Sequence, residues 1–182
     1  ILLGYLAITS SPMRLARVLA FTDPFALDVV QNAGWQLSNS LISIGQGGWF
    51  GLGLGNSFQK SFFLPEAHTD FIFSVIVEET GILGGLLIVS LLFGLSFRVF
   101  YIGRESLIRK NFFGFYFSYG VALLLGLHTF INVGVACGLL PTKGLTLPLI
   151  SAGGTNLIIV CLIIGIILRI DYENKNSMPV PN

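Results

Sequence analysis

Three apolar stretches decide what this chain can fold into. Residues 71–103, 112–140 and 157–170 are dominated by Leu, Ile, Val, Phe and Gly. A helix needs ~20 mostly apolar residues to cross the hydrocarbon core of a bilayer. The first two stretches meet that length, and the third borrows from the residues before it. Residues 1–9 are apolar but too short, and with no Met or basic leader ahead of Ile1 they read as the end of a truncated transmembrane helix. Composition points the same way. Of 182 residues 53% are hydrophobic and 10% are charged, with a mean hydropathy of +0.82, whereas soluble chains carry ~25% charged residues. The expected fold class is an all-α polytopic membrane protein, of which this chain holds the C-terminal portion.

Sidedness follows from where Lys and Arg collect. Arg98, Arg104, Arg109 and Lys110 flank or fill residues 104–111, and Arg169 stands just before the 171–182 tail with Lys175 inside it. These segments are expected to be cytoplasmic. Residues 10–70 then form a large extracytoplasmic loop, and residues 141–156 an extracytoplasmic turn.

That large loop is too apolar for disorder and too long for a simple connection. Residues 12–21 alternate Arg14 and Arg17 with Met13, Leu15, Leu19 and Phe21, which suits a helix at headgroup level. In residues 34–44, Leu37, Leu41 and Ile44 share one helical side while Gln36, Ser38, Asn39, Ser40 and Ser43 fill the other, predicting an amphipathic or re-entrant helix. Six glycines between Gly45 and Gly55 mark backbone that turns tightly or approaches something closely. No Gly-x-Gly-x-x-Gly opens a helix after a strand, so a dinucleotide site is not supported.

Ten basic and nine acidic residues leave a net charge of +1, too weak a field to gather nucleic acid. Cys137 and Cys161 lie far apart outside any metal spacing, so neither disulfide nor metal roles are expected of them.

The densest polar cluster stands at the first full span: Lys60, Glu66, His68, Thr69, Asp70, then Glu78 and Glu79. Ionisable groups within hydrocarbon cost ~2.5–3.5 kcal/mol on insertion scales, so Glu78 and Glu79 are expected to face the bundle interior, for conformational control or structural pairing. Asp70, at the helix mouth, fits either a first-turn carboxylate favoured by the helix dipole or a general base. His68 and Glu66 read as polar support and a solvated loop charge, and Lys60 as a headgroup anchor. His128 and Asn132 lie one turn apart on one helix face, where interhelical hydrogen bonding is the simplest role. Lys143, in a Pro/Gly-rich turn on the same side as Asp70, suits either a lipid phosphate or a pyrophosphate. Ser151, Gly153 and Gly154 precede a helix start, which serves as an anion cradle or an ordinary cap.

Three ordered motifs carry a family resemblance. Gly51-Leu52-Gly53-Leu54-Gly55-Asn56-Ser57, then Leu64-Pro65-Glu66-Ala67-His68-Thr69-Asp70-Phe71-Ile72-Phe73, then Gly138-Leu139-Leu140-Pro141-Thr142-Lys143-Gly144-Leu145-Thr146-Leu147-Pro148-Leu149-Ile150-Ser151 together resemble the SEDS family (shape, elongation, division and sporulation). Ala67, the Pro-Thr-Lys-Gly run and the closing Leu168-Arg169-Ile170-Asp171-Tyr172-Glu173 look like its cell-division branch. The resemblance implies about ten helices in the whole fold and a peptidoglycan glycosyltransferase that polymerises lipid II. It also implies a cognate class B penicillin-binding protein as partner, among other divisome proteins. The family's catalytic carboxylate falls on Asp70 and its outer-turn lysine on Lys143, with Glu66 and His68 carried over in the same motif. Where the family usually has Ser-Tyr-Gly-Gly-Ser-Ser, this chain has Ser151-Ala152-Gly153-Gly154-Thr155-Asn156, which removes an aromatic wall contact.

The expected reaction is attack of an acceptor-sugar 4-hydroxyl, deprotonated by Asp70, on a lipid-linked donor. The pyrophosphate leaving group needs a cation. Lys143 or an arginine outside this chain would serve, and the chemistry leaves room for a divalent cation, magnesium or manganese, although no carboxylate pair marks a dedicated metal site. No covalently bound cofactor is expected. The rivals are a lipid II flippase, suggested by Glu78, Glu79 and His128 within spans, an elongation- or sporulation-type polymerase, and a scaffold without chemistry.

Overall fold

The computed structural model describes residue 24 and residues 34–57, 69–142 and 144–176. The region expected to hold the headgroup-level helix and the truncated first span lies outside them, as do Lys60, Glu66, His68 and Lys143. Every regular element among the described residues is a helix: α1 (Trp35–Gly47), α2 (Ile72–Ile108), α3 (Phe112–Ala136) and α4 (Gly154–Asn176). The last three are long and apolar enough to cross a membrane, and each buries less than half of its spanning window against the protein. Side chains such as Leu87, Leu91, Phe97, Phe130 and Leu162 remain exposed, as lipid-facing residues do.

The helices run differently from the apolar stretches in ways local chemistry explains. α2 continues past residue 103 to Ile108 because Ser106 is buried and bonded to Asn174, which extends packing beyond the apolar run. α3 stops at Ala136, short of Leu140: Gly138 has φ 70°, and Leu139 and Leu140 both donate to the Gly134 carbonyl. α4 runs on to Asn176 because the ion pairs Arg169–Glu173 and Asp171–Lys175, each four residues apart, continue the helix through the polar tail. Asn111 caps α3 by accepting from the Gly114 amide at 3.0 Å.

The chain divides into two compact units. Leu86–Phe130 with Thr146–Asn182 forms one. Its core is Val99, Ile102, Val121, Ala122, Leu125, Val160, Ile167 and Ile170. Buried Ser96 donates to the Ala122 carbonyl at 3.0 Å, and Asn174 donates to the Ile102 carbonyl at 3.2 Å. These small polar side chains tie helices together where lipid provides little hydrophobic drive between them.

The other unit comprises the chain up to Gly85 with Ile131–Leu145, and among its described residues Phe71, Val75 and Val135 form an apolar cluster. α1 forms where an amphipathic or re-entrant helix is expected. Its polar side is turned inward: Ser38, Asn39, Ser40 and Ser43 are buried with Leu37, while Ile42 is exposed. Ser40 donates to the Ala136 carbonyl at 2.9 Å. The serines are small and carry their own donors, so they allow close backbone packing that the larger apolar residues do not.

α2 is broken inside its length at Gly81 (φ 76°, ψ 179°). In an unbroken helix the Ile82 and Leu83 amides would donate to the Glu78 and Glu79 carbonyls. Here the segment after α1 takes both sides of that exchange. Ile82 donates to Gly48 and Leu83 to Trp49, while Leu52 donates to Glu78 at 2.9 Å and Gly53 to Glu79 at 3.1 Å. Irregular backbone at membrane depth requires re-satisfaction of this kind. The approach is so close that a Cβ on Gly51 would lie 2.2 Å from the Glu79 oxygen, and one on Gly81 2.3 Å from the Trp49 oxygen. That is the physical reason for Gly51, and Gly47 is held as closely, since a Cβ there would lie 2.2 Å from the Val77 oxygen.

Candidate active site

Asp70 precedes α2 by two residues and is half-buried. Its position is held by Asn132 of α3, whose Nδ2 donates to the Asp70 main-chain oxygen at 2.9 Å and to the Leu145 main-chain oxygen at 2.6 Å. The Asp70 carboxylate lies beside the turn after α3: a Cβ on Gly144 would stand 3.1 Å from Oδ2. Gly144 directly follows Lys143 in the chain. Asp70, Asn132 and Gly144 therefore converge at one end of this unit, a carboxylate held against the main chain of a Pro/Gly-rich turn.

Glu78 forms a second polar node in the same unit. It is fully buried, and its Oε2 accepts from Ser57 at 2.5 Å and from Ser43 at 3.2 Å. Two hydroxyl donors satisfy a carboxyl oxygen that would otherwise be very costly within apolar surroundings. The pairing joins α1, the segment after it and α2 just before the Gly81 break. Glu79 is half-buried beside it and receives Gly53 on its carbonyl. His128 is half-buried on α3, one turn before Asn132.

Ser151, Gly153 and Gly154 belong to the other unit. The Ser151 Oγ accepts from the Leu147 amide at 2.7 Å, and the Gly153 amide donates to the Ser151 carbonyl. Asn156 donates to the Thr146 hydroxyl at 2.8 Å. This is a self-capped turn leading into α4, with Gly154 exposed at the helix start. Sequence reasoning did not foresee the serine-lined face of α1 as part of the Glu78 node, nor Gly144 against Asp70. The signal for the first was present, because Ser40 and Ser43 fall at near-helical spacing with Gly47.

Among the described residues no three His, Cys, Asp or Glu side chains converge.

A family model for FtsW, RodA and SpoVE, described as cell cycle protein, matches residues 1–176. The chain is 52% identical over 166 residues to a "Probable peptidoglycan glycosyltransferase FtsW" of Coxiella burnetii, covering 91% of this chain and 44% of that protein. It is 54% identical over 164 residues to the protein so named in Hahella chejuensis, covering 90% of this chain and 41% of the relative. The chain thus spans less than half the length of these curated relatives. In a solved structure on the coordination of polymerization and crosslinking by a peptidoglycan synthase complex, one chain matches with a TM-score of 0.71 and 28% identity, over 94% of this chain and 45% of that one. With a family match over nearly its whole length, this multi-pass membrane chain belongs to the FtsW/RodA/SpoVE family of cell cycle proteins.

Proposed function

We propose that this chain carries the catalytic carboxylate of a peptidoglycan glycosyltransferase that polymerises lipid II during septal cell-wall synthesis. Asp70 is the general base. Its carboxylate takes the proton of the acceptor sugar's 4-hydroxyl as that oxygen bonds to the anomeric carbon of the lipid-linked donor. The bond from that carbon to undecaprenyl pyrophosphate breaks, and the electron pair leaves on the pyrophosphate oxygen. Attack from the face opposite the leaving group inverts the configuration and makes a β-1,4 link. Lys143 supplies positive charge to the pyrophosphate, where charge develops in the transition state.

The observation that carries this reading is the seating of the Asp70 carboxylate against Gly144, the residue next to Lys143. The names of the relatives support the reaction class. The coupling of polymerization to crosslinking in the similar synthase complex supports a crosslinking partner, which in this reading is a class B penicillin-binding transpeptidase. In this reading the site faces outward from the bacterial cytoplasmic membrane, and Glu66, His68 and Lys60, from the motif that carries Asp70 and the residues ahead of it, are substrate-binding candidates.

The test is Asp70→Asn in the full-length protein with its transpeptidase partner and labelled lipid II. Loss of a general base lowers polymerisation by roughly 10²–10⁴-fold, with membrane abundance unchanged. Asn caps a helix about as well as Asp, so a structural carboxylate predicts little change, and a wild-type rate would refute the assignment.

A further inference from the structure

Asn132 is 1% exposed inside an apolar helix, a costly place for a carboxamide. Both hydrogens of its Nδ2 are used, one on the Asp70 carbonyl and one on the Leu145 carbonyl. Two carbonyl acceptors fix the orientation of the amide, because the reverse assignment would set Oδ1 against two oxygens. The acceptors lie 62 and 13 residues away in sequence. They belong to the two segments that carry the proposed chemistry: Asp70 itself, and the turn from Thr142 to Leu145 that contains Lys143. The carboxylate side of Asp70 closes the figure by resting on Gly144.

A second observation separates this amide from ordinary helix adhesion. The Asn132 Oδ1 is buried and has no hydrogen-bond partner among the described residues. A residue kept only for packing would be better replaced by an apolar one, which leaves no acceptor unsatisfied. One turn away, buried Thr129 shows the contrast, since its hydroxyl is spent on its own helix at the Leu125 carbonyl.

We infer that Asn132 is a positioning residue for glycosyl transfer: its amide holds the main chains of Asp70 and Leu145 together, so that the carboxylate and the lysine-bearing turn address one substrate. The inference rests on the polymerase reading above. Asn132 touches no reacting atom and acts through Asp70 and the turn.

The experiment measures kcat and KM for lipid II with full-length protein and its partner. Asn132→Ala removes the amide, and Asn132→Asp keeps its shape but, ionised, has no hydrogen to donate. Because small misplacements of a reacting group cost on the order of 10²-fold, both variants lose about that much kcat while KM stays within about threefold. Thr129→Val keeps kcat within about twofold, as expected for a site outside the reaction. Asp70→Asn combined with Asn132→Ala is no slower than Asp70→Asn alone, because residues acting as one unit are non-additive. An inactive Asp70→Asn beside Asn132 variants of wild-type kcat would overturn the inference and leave the polymerase reading standing. A wild-type Asp70→Asn would bring down that reading instead. If the Asn132 variants do not accumulate, Gly144→Ala decides. It leaves the amide in place and puts a methyl 3.1 Å from the Asp70 Oδ2, so that the carboxylate must shift by a few tenths of an ångström. It should lose kcat at normal abundance, and wild-type kcat there would overturn the inference.

Discussion

Glu78 shows how a single carboxyl group is accommodated inside a membrane protein. Its buried oxygen is shared by two serine hydroxyls from separate segments, and removing the acceptor strands both donors. Glu78→Ala is expected to destabilise by ~3 kcal/mol or more, since each stranded buried group costs ~1–3 kcal/mol. Glu78→Gln retains a carbonyl oxygen for the same bonds and should cost less than about 1.5 kcal/mol. Thermal melting of the detergent-purified protein separates the two. Equal melting temperatures for the Ala and Gln variants would show that the node does not hold this unit together.

At the scale of elements, the broken α2 and the glycine-rich segment after α1 are one structural feature, because each completes the other's hydrogen bonds. Gly81→Ala should therefore be far worse than a typical helix substitution. Its φ of 76° is strained for any side chain, at ~1–3 kcal/mol, and the methyl would strike the Trp49 carbonyl. Gly94→Ala on the same helix meets nothing within 4 Å and should be neutral or stabilising by ~0.5–1 kcal/mol. Membrane abundance and melting of the two variants check the contrast. At the other end of α2, Asn111→Ala should remove the α3 cap at a cost of ~1 kcal/mol, while Asn111→Asp, an equally good cap, should melt like wild type.

At the scale of the whole molecule, the charge asymmetry and the proposed chemistry require Asp70 to face outward. A cysteine at Asn56, which is exposed, should react with an impermeant thiol reagent added outside, and one at exposed Asn176 should react only after permeabilisation. Ser106, although flanked by arginines, is unsuitable as a probe because it is fully buried against Asn174. Cys137 and Cys161 are free thiols and must be replaced first. Labelling in the opposite sense would move Asp70 to the cytoplasmic side and remove the glycosyltransferase reading with it.

The sequence by itself determined the helical class, the three spans and the position of Asp70 at the mouth of α2. Those follow from local properties: twenty apolar residues in a row have few alternatives in a bilayer, and an acid ahead of such a run lies at its entrance. The motifs were also legible, and they led to the family. What only the tertiary structure decided are relations between segments distant in sequence. Asn132 was legible as a polar residue on a helix face, but its choice of the Asp70 and Leu145 carbonyls depends on how α3 ends against the head of α2. Which face of α1 is buried was also not legible, since periodicity by default places apolar residues inward. Inside a membrane protein the tighter packing of small serines, each with a carbonyl or carboxyl acceptor to meet, overrides that default. The break at Gly81 was likewise hidden in an unbroken apolar run, because what stabilises it is the backbone of another segment rather than any side chain near it.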